Sequence, residues 1–110
     1  MANKAKPQDR GRAALLYYQK SFLRDGGIVE IMIWQLPRKT PDRPHAIKYR
    51  LYYGREGKSI VRYDNETGKG DHRHLLNKEA PYRFTSVRKL RQDFEADVLR
   101  HGGNDDEKAD

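Results

Sequence analysis

Residues 46–53, AIKYRLYY, set Ile47, Tyr49, Leu51 and Tyr53 at alternate positions with Lys48, Arg50 and Tyr52 between them. A side-chain period of two belongs to a strand with one buried and one solvated face, and a helix cannot reconcile it. Residues 28–36, IVEIMIWQL, repeat the pattern: Val29, Ile31 and Ile33 share one face, while Glu30, Met32 and Trp34 share the other.

Each of these runs has a neighbour close enough to pair with. Residues 13–23, AALLYYQKSFL, precede it through RDGG (24–27), whose glycines supply the positive φ angles of a tight hairpin turn. After Tyr53, GREG (54–57) turns the chain into KSIVRYD (58–64), which directs Val61 and Tyr63 to the core and Arg62 and Asp64 to the opposite face. Beyond these hairpins, Val87, Leu90, Phe94 and Val98 recur at helical spacing, with Thr85 or Ser86 available as N-cap and Gly102 and Gly103 as a stop. The expected fold is therefore α+β: a four-stranded antiparallel sheet, built from two hairpins, with one C-terminal amphipathic helix on one face. Two loops remain. PRKTPDRPH (37–45) has three prolines and reads as an exposed contact loop, and residues 65–82 read as a longer polar loop.

One helix covers only one face of such a sheet. The other would carry Lys48, Arg50, Tyr52, Arg62 and Trp34, rings and cations interleaved, as a surface that stacks bases and holds phosphates does. A dimer interface or an ordinary wet face is the competing reading. The charge balance leans the same way as the ring pattern. The chain carries +7, but residues 104–110 hold four acids against one lysine, leaving 22 basic and 12 acidic side chains, a net +10, over residues 1–103. Such a surplus suits a polyanion such as RNA, or an acidic protein.

Composition sets further bounds. Apolar and charged residues each make up 35% of 110 residues, so the core must be thin. Residues 1–12 read as a disordered basic arm, 13–103 as one domain, and 104–110 as a disordered acidic tail. The absence of cysteine excludes disulfides, thiolate metal sites and cysteine nucleophiles, and fits a reducing cytoplasm. No run is long and apolar enough for a membrane span, so no membrane partner is expected.

The densest polar chemistry lies in GKGDHRH, residues 68–74. Histidine suits proton transfer at neutral pH, so His72 and His74 are candidate base and acid for cleavage of RNA at its 2'-hydroxyl. Asp64 or Asp71 would orient an imidazole, and Arg62, Lys69 or Arg73 would stabilise the phosphate. Lys48, Arg50, Tyr52, Arg62, Lys69, Arg73 and Arg88 are the candidate nucleic-acid contacts. A metal is not expected: H-x-H supplies two ligands where a catalytic zinc needs about three, and His45 and His101 lie in other segments. No nucleotide-binding loop or nucleophilic serine motif is present, so no cofactor is expected. The structural alternative is a loop in which Asp71 and the histidines bridge the fourth strand to the helix.

The succession YDNETGKGDHRH then YRFTSVRKLRQDFEADV, with DGGIVEIMIWQLP and HAIKYRLYYG before it, resembles the TumE-like family of toxins from prokaryotic toxin–antitoxin pairs. The resemblance spans about Ala13 to Val98. It implies a small type II toxin restrained by a neighbouring antitoxin, typically a helix-turn-helix DNA-binding protein, and it carries over no catalytic residue. One departure is SVRKLR at the helix start, where the family more often has acids. Arg88 and Lys89 there oppose the helix dipole, which favours negative charge at that end.

Overall fold

The computed structural model describes residues 12–102. The basic arm up to residue 11 and the acidic tail 104–110 lie outside the described residues. Among the described residues six strands form one sheet: β1 (Ala14–Phe22), β2 (Gly27–Gln35), β3 (Ile47–Arg55), β4 (Lys58–Asp64), β5 (His72–Leu75) and β6 (Lys78–Pro81). They lie side by side in chain order, every pair antiparallel, and one helix, α1 (Val87–Arg100), follows.

The two expected hairpins are β1–β2 and β3–β4. At the first turn Gly26 has φ +89°, and the Asp25 carboxylate accepts from the Gly27 amide at 2.8 Å. The expectation of four strands is corrected by β5 and β6, which fall within residues 65–82. Each is only four residues long, HRHL and KEAP, with Leu75 as the one large apolar side chain, so neither shows a hydrophobic period. Their turn uses Leu76 at φ +58° rather than a glycine, which removed the usual turn signal.

Register explains the core. Val29 pairs with Tyr53, Ile31 with Leu51 and Ile33 with Tyr49 across β2–β3; Leu51 pairs with Tyr63 and Tyr53 with Val61 across β3–β4. All of these side chains are buried on one face, where Leu90, Phe94 and Val98 of α1 meet them. Phe94 meets the Tyr63 ring edge-on at 5.9 Å. Polar anchors add to this packing. The Tyr63 hydroxyl donates to the buried Asp97 carboxylate, which Arg73 and Arg100 also approach, and Tyr82 donates to Asp93 at 2.7 Å.

Ser86 is the N-cap, its Oγ accepting from the Lys89 amide at 3.0 Å, and it is the one side-chain acceptor on a first turn that has no acid. Ser86→Ala should therefore cost about 1 kcal/mol of stability, read from chemical denaturation; a change below about 0.3 kcal/mol would mean that the cap contributes nothing beyond water. The 37–45 loop is more engaged than an exposed contact loop. Arg43 is buried and donates through Nε to the Asn65 carbonyl at 2.8 Å, while Asp42 accepts from the Gly68 amide at 2.7 Å. This loop therefore braces the chain between β4 and β5.

Candidate functional site

The helix-free face presents side chains from every strand. Trp34 pairs with Lys48, Met32 with Arg50, and Glu30 with Tyr52; Arg50 pairs in turn with Asp64, and Tyr52 with Arg62. The strands β5 and β6 extend these rows, setting His72 opposite Asp64, His74 opposite Arg62, and Glu79 opposite His74. Two unbroken cross-strand rows result, Glu30–Tyr52–Arg62–His74–Glu79 and Met32–Arg50–Asp64–His72–Pro81. Cations lie against the rings: Lys48 Nζ is 5.2 Å from the Trp34 ring centre, and the Arg50 guanidinium is 5.4 Å from that of Tyr52. Gly54 lets the Tyr52 side chain lie along the strand, since a Cβ there would sit 2.1 Å from the Tyr52 hydroxyl.

At one end of these rows the polar groups converge. His72 is 5% exposed; its Nδ1 lies 3.0 Å from the Gly70 carbonyl, and its Nε2 lies 2.5 Å from Asp64 Oδ1. Both nitrogens thus lie beside oxygen atoms, though Nε2 is not aligned for a hydrogen bond to Asp64. Asp64 Oδ2 is 3.1 Å from Arg62 Nε, and Arg62 Nη2 is 2.8 Å from His74 Nε2. Because a guanidinium only donates, His74 Nε2 accepts and keeps its lone pair. Burial, and then the charge of Arg62, lower the His74 pKa below the ordinary histidine value and favour the neutral ring, against the opposing pull of Glu79. The two imidazoles stand edge-on at 5.2 Å. Glu79 Oε2 lies 3.6 Å from His72 Nε2 and 3.8 Å from His74 Nε2. His72 and Glu79 also line a shallow cavity of about 330 Å³ with Lys69, Asp71, Ala80 and Pro81.

Other candidates from the sequence go elsewhere. Asp71 joins a separate cluster, accepting from Tyr49 Oη at 2.7 Å, Asn65 Nδ2 at 3.0 Å and His45 Nε2 at 2.9 Å. Its imidazole partner is thus His45 and not His72 or His74. Asn65 accepts from the Tyr49 amide and donates to the Ile47 carbonyl, continuing the β3 edge where β4 ends. Arg73, between two histidines on a strand, necessarily faces the other way; it approaches Tyr63 and Asp97 under α1, at 3.2 and 3.3 Å. Arg88 is exposed on the helix, which packs on the opposite side of the sheet from the histidines. Glu79 had no signal in the sequence, because it becomes a neighbour only through the β5–β6 hairpin.

The count of metal donors also changes. Asp64, His72 and His74 bring one ligand atom each to within 4.8 Å of one another. Two of these residues were visible as H-x-H; the third arrives by strand pairing. Among the described residues no helix is long and apolar enough to cross a membrane.

The sequence model of one protein family, described as Toxin TumE, matches residues 5–101. No curated protein and no solved structure matches the chain.

Proposed function

Because the chain belongs to the TumE toxin family, we propose that it is the toxin of a type II toxin–antitoxin pair, acting in the cytoplasm on single-stranded RNA bound across the helix-free face. The observation that carries this reading is the pair of continuous cross-strand rows, in which Arg50 and Tyr52 lead directly to the cluster of Arg62, Asp64, His72 and His74, with the Trp34–Lys48 pair beside them. Bases stack on Tyr52 and Trp34, the cations track the backbone, and a phosphate arrives beside the histidines. Restraint by a helix-turn-helix antitoxin is the partner arrangement the family resemblance implies.

The cluster supports transesterification without a metal. Arg62 turns from His74 to the phosphate, freeing His74 Nε2 to take the 2'-hydroxyl proton. The 2'-oxygen forms its bond to phosphorus, the bond to the 5'-oxygen breaks, and that oxygen takes a proton from His72 Nε2. The products are a 2',3'-cyclic phosphate and a 5'-hydroxyl. Asp64 holds His72 in place, and Lys69 lies at the rim of the cavity on that side. The burial of His72 and Asp64 favours a second reading, a noncatalytic module that occupies RNA or a protein target.

Binding is the first test. Affinity for a single-stranded RNA, followed by fluorescence anisotropy, should fall with salt, and removing Lys48 or Arg50 should lower the slope of log affinity against log salt by about 0.7 each. Tyr52→Ala should weaken binding by about 1–3 kcal/mol, or roughly 5- to 150-fold. Binding unchanged in both kinds of variant would remove RNA from this face. Salt-sensitive binding with no product from any RNA offered would select the noncatalytic reading.

A further inference from the structure

The geometry points to a transition-metal site of the zinc class at Asp64, His72 and His74, closed by Glu79. These side chains come from three adjacent strands, β4, β5 and β6, so rigid elements hold them in relative position. Ligand atoms around a tetrahedral ion with bonds of about 2.0–2.2 Å lie roughly 3.3–3.6 Å apart. Glu79 Oε2 is 3.6 and 3.8 Å from the two histidine Nε2 atoms, and the Asp64, His72 and His74 donors lie within 4.8 Å of one another; Asp64 Oδ1 and His72 Nε2, now 2.5 Å apart, must part by about 1 Å to share an ion. Two imidazoles and two carboxylates make a four-ligand set of the kind zinc accepts. His72 has the support expected of a ligand, its other nitrogen facing the Gly70 carbonyl at 3.0 Å.

A second, independent observation marks the same point. Asp64 is 4% exposed, yet its Oδ1 has no aligned hydrogen-bond donor; His72 Nε2 is close, at 2.5 Å, but misses hydrogen-bond geometry. Arg62 Nε, beside the same carboxylate, is also buried without an aligned acceptor. Buried polar atoms are nearly always paired, and two orphans in one cluster call for a ligand. The guanidinium therefore fills the cation position poorly. A small ion on Asp64 Oδ1 satisfies the carboxylate, and Arg62 swings out over the open face, where its Nε reaches solvent.

The ion would occupy the His74 lone pair that RNA cleavage requires, so it silences the site. That consequence alone rests on the proposed function; metal binding is measured with no RNA present and stands or falls by itself.

The test is titration of the full-length protein with Zn²⁺ in competition with a colorimetric chelator, with Co²⁺ absorption as a second reading of coordination geometry. One ion per chain is expected. His74→Gln and Glu79→Gln change partly exposed side chains, so the fold survives them. His74→Gln should weaken binding by more than the ~10- to 100-fold that even an outer-shell change costs, and Asp64→Asn should do the same. Arg62→Gln should tighten binding several-fold by removing the competing cation, an effect a merely structural Asp64–His72 contact does not produce. His45→Gln and His101→Gln should bind as wild type. No binding at roughly hundredfold excess Zn²⁺, wild-type binding in His74→Gln, or loss in His45→Gln would each overturn the site.

Discussion

Phe94→Ala is expected to lower the free energy of unfolding by about 3–5 kcal/mol. Domains of ordinary stability have about 5–15 kcal/mol in total, so the variant should be close to unfolded at growth temperature. The size of the effect follows from how little covers the sheet. Among the described residues a single helix covers the sheet, its core contribution comes from Leu90, Phe94 and Val98, and Phe94 is 1% exposed with its ring against Tyr63. Truncation opens a ring-sized cavity between helix and sheet, and the polar anchors at Asp97 and Asp93 limit how far the helix can settle to fill it. The control is Phe22→Ala. Phe22 is 73% exposed at the end of β1, and its loss should stay within about 0.5 kcal/mol. Denaturant midpoints, with unchanged slopes, measure both. A loss below about 1 kcal/mol for Phe94→Ala would mean that the helix is not the element that seals this core.

The same thin core explains which parts of the fold are legible in the sequence. Where strands are half buried, alternation is forced, and Val29, Ile31, Ile33, Tyr49, Leu51, Tyr53, Val61 and Tyr63 all face the helix as their parity requires. The helix stripe was legible for the same reason. The β5–β6 hairpin was not, because it lies at the edge of the helix-covered core and has little apolar surface to bury beyond Leu75; its strands are held by pairing to β4 and by polar contacts. This hairpin accounts for most of the difference between the expected and the observed site. Parity put Asp64 on the open face and kept His72 and His74 together, but only the β4–β5 register makes Asp64 a neighbour of His72. Once residues 72–75 form a strand, Arg73 must leave the histidines for the helix side. The pairing of Asp71 with His45 joins positions 26 residues apart through the folded 37–45 loop, and no local pattern encodes it.

If the helix-free face cleaves RNA, His74→Gln should reduce the cleavage rate by about 10²–10⁴-fold, the usual contribution of a positioned general base. RNA affinity should change little, because glutamine keeps the size and a hydrogen-bonding group while losing the proton acceptor. His74 is the better of the two histidines to change. Its side chain is 20% exposed, whereas the His72 side chain is 7% exposed and packed on Asp64, so His72→Gln also perturbs the packing beneath the site. The neighbouring variants separate roles that a loss of activity alone would merge. Arg62→Gln removes the charge that faces the phosphate and should cost rate on the order of 10²–10³-fold, with some loss of affinity. Tyr52→Ala should weaken RNA binding and leave the rate at saturation nearly unchanged, since Tyr52 lies two strands away from His74 along their shared row. The assay runs with a chelator present, so that no adventitious ion occupies the His74 lone pair. A rate that falls in His74→Gln at constant affinity identifies the open face as a reaction centre. Full activity in the His72→Gln, His74→Gln double variant would remove the histidines from the chemistry and leave the face as a binding surface only.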